Sequence, residues 1–320
     1  MRVLITGASG FVGANVARGM LADGHEVHCL LRAAHDPWRL AGLSGAHLHV
    51  ADLLERSEVD ALLERTRPQW ILHLAAYGAY ASQADVTPCV RTNVEAATVL
   101  MDAAAAHGIE RFVNTGSSSE YGFKDHAPDE AEPLEPNSLY AVTKAAATAY
   151  ACLLGRTGRL HATTLRLYSV YGPYEEPTRL IPSLVLAGLN GAYPPLVSPS
   201  IARDFVHIDD VVRAYRVTAR AGVAAGRVYN VGTGVQTSLA DAVGVSRALF
   251  AVEQPPDWGT MPERKWDTDT WVANISRARA ELGWVPEISF EEGFRRTAEW
   301  IAASDRRRYY EAARAGRKGS

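Results

Sequence analysis

An α/β fold built on a doubly wound parallel sheet, with a smaller C-terminal α/β domain, is what this 320-residue sequence predicts. Two observations carry that prediction. Short, continuous apolar runs alternate with helical stretches through the first half, as strands buried on both faces require. The segment Gly7-Ala-Ser-Gly10-Phe-Val-Gly13 then separates the first apolar run from the first helical stretch, the place where a Rossmann-type sheet takes its phosphate-binding turn. In chain order, residues 3–5 read as a strand, 14–22 as a helix, and 27–31 and 46–50 as the next two strands. Residues 58–64 are helical, with Pro68 after them, and 70–74 are a strand. Residues 94–106 form an Ala-rich helix with Gly108 where a helix would end. Residues 111–115 are a strand, 123–137 an acidic, Pro-rich loop, 138–154 a helix and 162–167 a strand. After Gly172-Pro173 the pattern loosens among prolines. The sequence therefore divides into 1–172, with returns to the sheet expected near 205–212 and 228–231, and a smaller domain over 173–320. The basic tail, 306–320, reads as a frayed terminal helix.

Composition narrows the function. Apolar residues make up 47% and charged residues 22% of the chain, and the net charge is −3. A disordered chain is excluded, and no basic field is available to hold nucleic acid or an anionic membrane. Three scattered cysteines, Cys29, Cys89 and Cys152, offer neither a disulfide framework nor a zinc site and fit a reducing cytoplasm. No metal is expected. No apolar run is long enough to cross a bilayer, and the glycine-studded N-terminus is unlike a signal peptide.

Three motifs point to chemistry. The glycine turn lets backbone approach a pyrophosphate at a helix N-terminus. The second strand ends in Leu31-Arg32, where a fold binding NAD(H) places a carboxylate for the ribose 2′-hydroxyl. A guanidinium there suits a 2′-phosphate, so NADP(H) is expected ahead of NAD(H). Tyr140-Ala-Val-Thr-Lys144 puts a phenol and an ammonium on one helical face, and the charge is expected to lower the phenol's pKa toward working pH. Thr115-Gly-Ser-Ser-Ser-Glu-Tyr-Gly122 follows a strand at the sheet edge where ligands bind.

Together with His73-Leu-Ala-Ala76, these motifs resemble the extended short-chain dehydrogenase/reductases, in their nucleotide-sugar epimerase/dehydratase/reductase branch. Leu165-Arg-Leu-Tyr-Ser-Val-Tyr-Gly-Pro173, Arg203-Asp-Phe-Val-His-Ile-Asp-Asp210, Tyr229-Asn-Val-Gly232 and Leu282-Gly-Trp-Val-Pro286 extend the resemblance from residue 1 to about 302. The resemblance implies a catalytic set of Ser117, Tyr140 and Lys144. It implies a cofactor held by Gly7, Ser9, Gly10, Phe11, Val12 and Gly13, with Arg32 at the ribose and Asp52-Leu53 at the adenine. Leu74, Ala75 and Ala76 match the segment beside ribose and phosphate, and Asn93 a residue that braces the sheet. Thr115, Tyr168 and Val170 complete the expected cofactor contacts. A nucleotide-diphosphate sugar would meet Tyr77, Ser117, Ser118, Ser119, Ser169, Arg179 and Arg203, the last at the diphosphate. Relatives pair helices matching 94–106 and 140–154 between two subunits, so a homodimer is expected.

Departures from the family pattern direct the choice of reaction. The 4,6-dehydratases carry acidic residues directly after the catalytic threonine, for removal of the C5 proton; those places hold Ser118 and Ser119, with Glu120 one residue too late. On a strand-like segment that shift reverses a side chain. Ser169 replaces the family's asparagine, and Met261-Pro-Glu-Arg-Lys265 replaces an arginine-bearing stretch. Arg32 and Ala76-Tyr77-Gly78 favour an NDP-4-keto-6-deoxyhexose C4-ketoreductase. The alternatives are a 4-epimerase with tightly bound NAD(P)+, a 4,6-dehydratase, and a non-catalytic NADP(H)-binding sensor or scaffold.

Overall fold

The computed structural model describes residues 1–80, 83–220, 222–261 and 268–316. Its elements, in order, begin with β1 (Arg2–Thr6), α1 (Phe11–Ala22), β2 (Glu26–Leu31), β3 (His47–Val50), α2 (Arg56–Thr66) and β4 (Trp70–His73). Then come α3 (Val86–Val90), α4 (Ala96–Ala106), β5 (Arg111–Ser117), α5 (Leu139–Arg156), β6 (Ala162–Leu167), β7 (Ser169–Tyr171) and α6 (Leu180–Leu189). The chain continues through β8 (Ala202–Arg203), β9 (Phe205–His207), α7 (Ile208–Thr218), β10 (Val228–Val231), β11 (Thr237–Ser238) and α8 (Leu239–Phe250), and ends with α9 (Phe290–Ala302) and α10 (Ser304–Gly316).

The central sheet has seven strands in the order β10-β6-β5-β4-β1-β2-β3, all parallel. Its winding reverses between β1 and β4, the switch point at which such sheets open a crevice for ligands. Because the strands are parallel, the ends of β1, β2, β3, β4 and β5 all reach the same edge. One apolar core packs α1 and α7 on one face, around Val16, Met20, Val211 and Tyr215. Another packs α2, α4 and α5 on the other, around Leu62, Leu100, Met101 and Ala147. A third joins α6, α8, α9 and α10 around Leu184, Val243, Phe294 and Tyr310. No described helix is long and apolar enough to cross a membrane.

Three expectations need correction. Residues 205–212 do not return to the central sheet: β9 pairs with β7 in a separate two-stranded sheet, and α7 follows at once. Only 228–231 return, as edge strand β10. The helix expected from residue 94 starts at Val86 and passes through a wide π turn at Arg91–Glu95; Pro88 lies in the first turn, where its missing N–H is tolerated. The basic tail is no frayed end. Tyr310 of α10 is fully buried and its hydroxyl donates to the Glu175 carbonyl at 2.6 Å. Residues 317–320 lie outside the described residues.

Candidate active site

The glycine turn forms a cradle between β1 and α1. Gly7 has φ +67°, and a Cβ there would sit 2.6 Å from the backbone of Leu74 and Ala75. A Cβ on Gly13 would meet the Gly7 carbonyl oxygen at 2.2 Å. The turn is thus packed against α1 and against the end of β4 more tightly than any side chain allows. Gly10 caps α1 without a side-chain hydrogen bond, so the first-turn N–H groups are left without a capping side chain. Ser9, Phe11 and Val12 complete the turn, and Thr6 Oγ1 accepts from the N–H groups of Leu74 and Ala75, both at 3.2 Å. This is a fitting seat for a dinucleotide's pyrophosphate, with Ala76 at its rim.

The remaining cofactor candidates distribute along the same edge. Arg32 follows β2 and is exposed. Asp52 and Leu53 follow β3, and the Asp52 carboxylate accepts from Leu54 N–H at 2.9 Å. Asn93, placed by the π turn, accepts from Tyr77 N–H at 2.8 Å and donates to the Tyr77 carbonyl at 2.7 Å and to Thr143 Oγ1 at 2.9 Å. It thereby ties the loop after β4 to α5. Thr115 donates to the His73 carbonyl at 2.7 Å and shares a hydrogen bond with Tyr215, which fixes the strand ends. Val170 pairs with Val206 in the small sheet. Tyr168 is buried, its hydroxyl has no partner, and it lines a small cavity with Ser118, Tyr121 and Trp271.

Ser117 ends β5, while Tyr140 and Lys144 occupy the first two turns of α5, which Ser138 caps through Ala141 N–H. A side chain on Gly78 would touch the Tyr140 ring at 3.2 Å, so the Tyr77-Gly78 loop closes over it. The expected lowering of the phenol by Lys144 is not what the geometry gives. Burial pushes Tyr140 up to about 12; a Ser117 hydrogen bond works against that and the Glu120 charge adds to it. Burial likewise pushes Lys144 down to about 8, against the Glu120 carboxylate that holds it up. Near neutral pH the site therefore presents a protonated phenol beside an ammonium.

The substrate candidates separate into two groups. Ser119 shares a hydrogen bond with Ser117 at 2.7 Å, and Arg179 acts on the Tyr140 phenol with its guanidinium 5.5 Å from the Tyr80 ring centroid. Tyr77 donates to Asp85 at 3.1 Å. Ser118 turns away from Ser117 and accepts from the Trp271 indole at 3.1 Å. Trp271 in turn lies under the Arg203 guanidinium, 5.5 Å from it, so one ring bridges two candidates that the sequence does not connect. Arg203 also donates to the carbonyls of Ala202 and Thr268. Ser169 donates from its backbone to the Asp204 carbonyl. Of the Met261–Lys265 stretch, residues 262–265 lie outside the described residues.

Glu120 differs most from its expectation. The segment is no strand but a 3-10 turn, Ser118–Tyr121. The Glu120 carboxylate is fully buried and accepts from Ser117 N–H at 2.8 Å, Thr148 Oγ1 at 3.0 Å and Arg166 Nε at 2.8 Å. The single charged residue in the strand 162–167, Arg166, is the sequence signal that could have pointed to this pair; nothing in the sequence marked Thr148 or Trp271.

Residues 3–232 match the NAD dependent epimerase/dehydratase family. A dTDP-glucose 4,6-dehydratase of Streptomyces griseus is 32% identical over 313 residues, covering 93% of each chain. A UDP-glucose 4-epimerase of Mycolicibacterium smegmatis is 32% identical over 321 residues, covering 94% of this chain and 98% of that one. Among solved structures, the Thermus thermophilus UDP-glucose 4-epimerase in complex with NAD superposes with a TM-score of 0.84 at 26% identity, covering 95% of this chain and 100% of that one.

Proposed function

This chain belongs to the NAD dependent epimerase/dehydratase family, and from that membership we propose that it is an NADP(H)-dependent C4-ketoreductase of a nucleotide-diphosphate 4-keto-6-deoxyhexose. The observation that carries the reading is the state of Glu120. Removal of the C5 proton needs a free carboxylate beside the reacting serine. The two residues after Ser117 are serines, and the third is a glutamate tied by three donors. Proton delivery without elimination is what the site can perform.

A nicotinamide dinucleotide, its pyrophosphate held by the glycine cradle, would supply the hydride when bound. Tyr140 gives its proton to the C4 oxygen, Ser117 donates a hydrogen bond to that oxygen, and Lys144 keeps positive charge beside the phenol. The ketone gains one hydride and one proton and becomes an alcohol. Arg32 supports NADP(H) because a guanidinium pairs with a 2′-phosphate. An Arg32→Asp variant is expected to reverse the NADPH/NADH preference; an unchanged ratio of kcat/KM values would make Arg32 a surface charge only.

A second reading, a 4-epimerase retaining NAD(P)+, uses the same residues and is supported by the M. smegmatis and T. thermophilus relatives. A 4,6-dehydratase is supported by the S. griseus relative but lacks its base here. A purely sensing role accords poorly with a chain retaining Ser117, Tyr140 and Lys144 together. For a partner, we place a second copy of the chain on the exposed apolar residues Val86 and Val90 of α3 and Val142 and Leu153 of α5. The Ala-rich stripe 96–104 is instead buried within the chain. Three unpaired thiols fit a cytoplasmic setting.

The test is to supply NADPH or NADH with NDP-4-keto-6-deoxyhexoses formed in place by a separate dehydratase. Loss of reduced-cofactor absorbance in proportion to sugar supports the reductase. No consumption, with a new isomer from unmodified NDP-sugar, supports the epimerase; a 4-keto product contradicts the argument from Glu120.

A further inference from the structure

A turn of four residues can be capped by a solvated side chain. Here the capping carboxylate is fully buried and its partner Arg166 comes from an interior strand and is 3% exposed. Taking two charges out of water costs several kcal/mol each unless geometry compensates, so stability alone is a poor reason for this pair. We propose that Glu120 is a positioning residue for the reacting set, its carboxylate fixing Ser117 against α5 and setting the electrostatic field on Lys144. The inference rests on the reading of Ser117, Tyr140 and Lys144 as that set.

The tethers converge from three elements. Ser117 N–H ties Glu120 to the end of β5, Arg166 ties it to β6, and Thr148 ties it to α5. Tyr140, Lys144 and Thr148 are spaced i, i+4, i+8, so the carboxylate grips the same helical face that carries the phenol and the ammonium. Space is reserved for it: a Cβ on Gly116 would lie 2.7 Å from Glu120 Oε1 and 3.1 Å from the Arg166 side chain. Arg166 also stacks over the Tyr121 ring at 4.6 Å, and its Nη1 is buried without a partner. The pair is therefore held in place by packing around one carboxylate position.

The field follows from that position. Burial drives Lys144 toward its neutral form, and the groups acting against burial are Glu120 and, more weakly, Cys89 of α3. His73 of β4 faces the same ammonium and is held neutral to about pH 3, chiefly by burial. Tyr140 on the same helix stays protonated. Among the described residues, Glu120 is thus the carboxylate offsetting the desolvation of Lys144.

The chain has four lysines, Lys124, Lys144, Lys265 and Lys318, so a titration of the full chain labelled with 13C at lysine Cε resolves them, with Lys144→Arg giving the assignment. In wild type Lys144 is expected to titrate near 8. In the paired variant Glu120→Gln/Arg166→Met, which leaves no unpaired buried charge, it is expected to move down by about half a pH unit or more. An unchanged titration in the folded variant overturns the field argument. Glu120→Asp keeps a partner for Arg166, so it is the safer fold, and draws the carboxylate back by one methylene. Exchange of the Ser117 amide hydrogen should then accelerate about tenfold or more, since an opening easier by about 1.4 kcal/mol gives that factor; equal protection overturns the positioning argument. Neither readout needs a substrate, so failure of the proposed reaction would leave both results standing on their own.

Discussion

At the scale of single residues, the proposed reaction depends on one phenol, Tyr140, that desolvation keeps protonated. Tyr140→Phe removes the donor and nothing that holds the cofactor cradle together. Turnover is expected to fall at least about a thousandfold, in line with loss of a general acid, while cofactor binding measured by fluorescence stays within about twofold. Retained turnover would mean that another group supplies the proton. In the proposed reaction Lys144 is expected to set the alkaline limit. Its charged form lies below about 8, so kcat in the reducing direction should be level near pH 7 and decline as pH rises through 8. A profile still flat at pH 9.5 would show that the ammonium is not required. Sequence spacing alone was enough to bring Tyr140 and Lys144 together, because a helix repeats every 3.6 residues. The direction of the phenol's shift was not legible. It depends on burial contributed by the loop after β4 and by the turn after β5, both distant in sequence.

At the scale of elements, the glycine turn was readable because its conformation is a local demand. Gly7 needs a positive φ and Gly13 needs contact with the Gly7 carbonyl, and each can be recognised from a strand-turn-helix pattern. A Gly13→Ala variant places a methyl 2.2 Å from that carbonyl, so α1 must shift. Overpacking of this kind costs about 1–3 kcal/mol, and dinucleotide affinity should drop about tenfold or more with the far-ultraviolet dichroism unchanged. Unaltered affinity would separate the turn from the cofactor. Other elements were legible only in part. The start of α3 was hidden by Pro88, and β9 was misassigned because Phe205 and Val206 are buried strand residues whether they pair with β7 or with the central sheet, while Ile208–Val212 already belong to α7. The tail was misread because its apolar content is concentrated in Tyr309 and Tyr310, which pack with Trp38 from the far end of the chain and, for Tyr310, with Trp300 of the preceding helix.

At the scale of the whole molecule, the alternation of apolar runs and helices forecast the parallel sheet, and with it the shared edge on which the candidate residues gather. It could not forecast which candidates would face each other. Ser118 turns to Trp271 and Glu120 turns to Arg166, contacts made across more than forty residues of chain. The outer surface makes a separate prediction. Charges at Val142 and Leu153, each nearly half exposed on α5, should convert a dimer to a monomer in sedimentation; a wild-type chain that sediments as a monomer would refute that assembly.

The central claim is hydride delivery to C4 without loss of the C5 proton. It is tested most directly with a 4-keto sugar made beforehand in ordinary water and freed of its dehydratase, by running the reaction with NADPH deuterated at the transferring position, and in parallel with unlabelled NADPH in D2O, and reading the product sugar by NMR. The account predicts deuterium at C4 from the labelled cofactor and ordinary hydrogen at C5 in D2O. Solvent deuterium at C5, above that exchanged without protein, would contradict it and show that a base, with Glu120 the first candidate, removes the C5 proton after all.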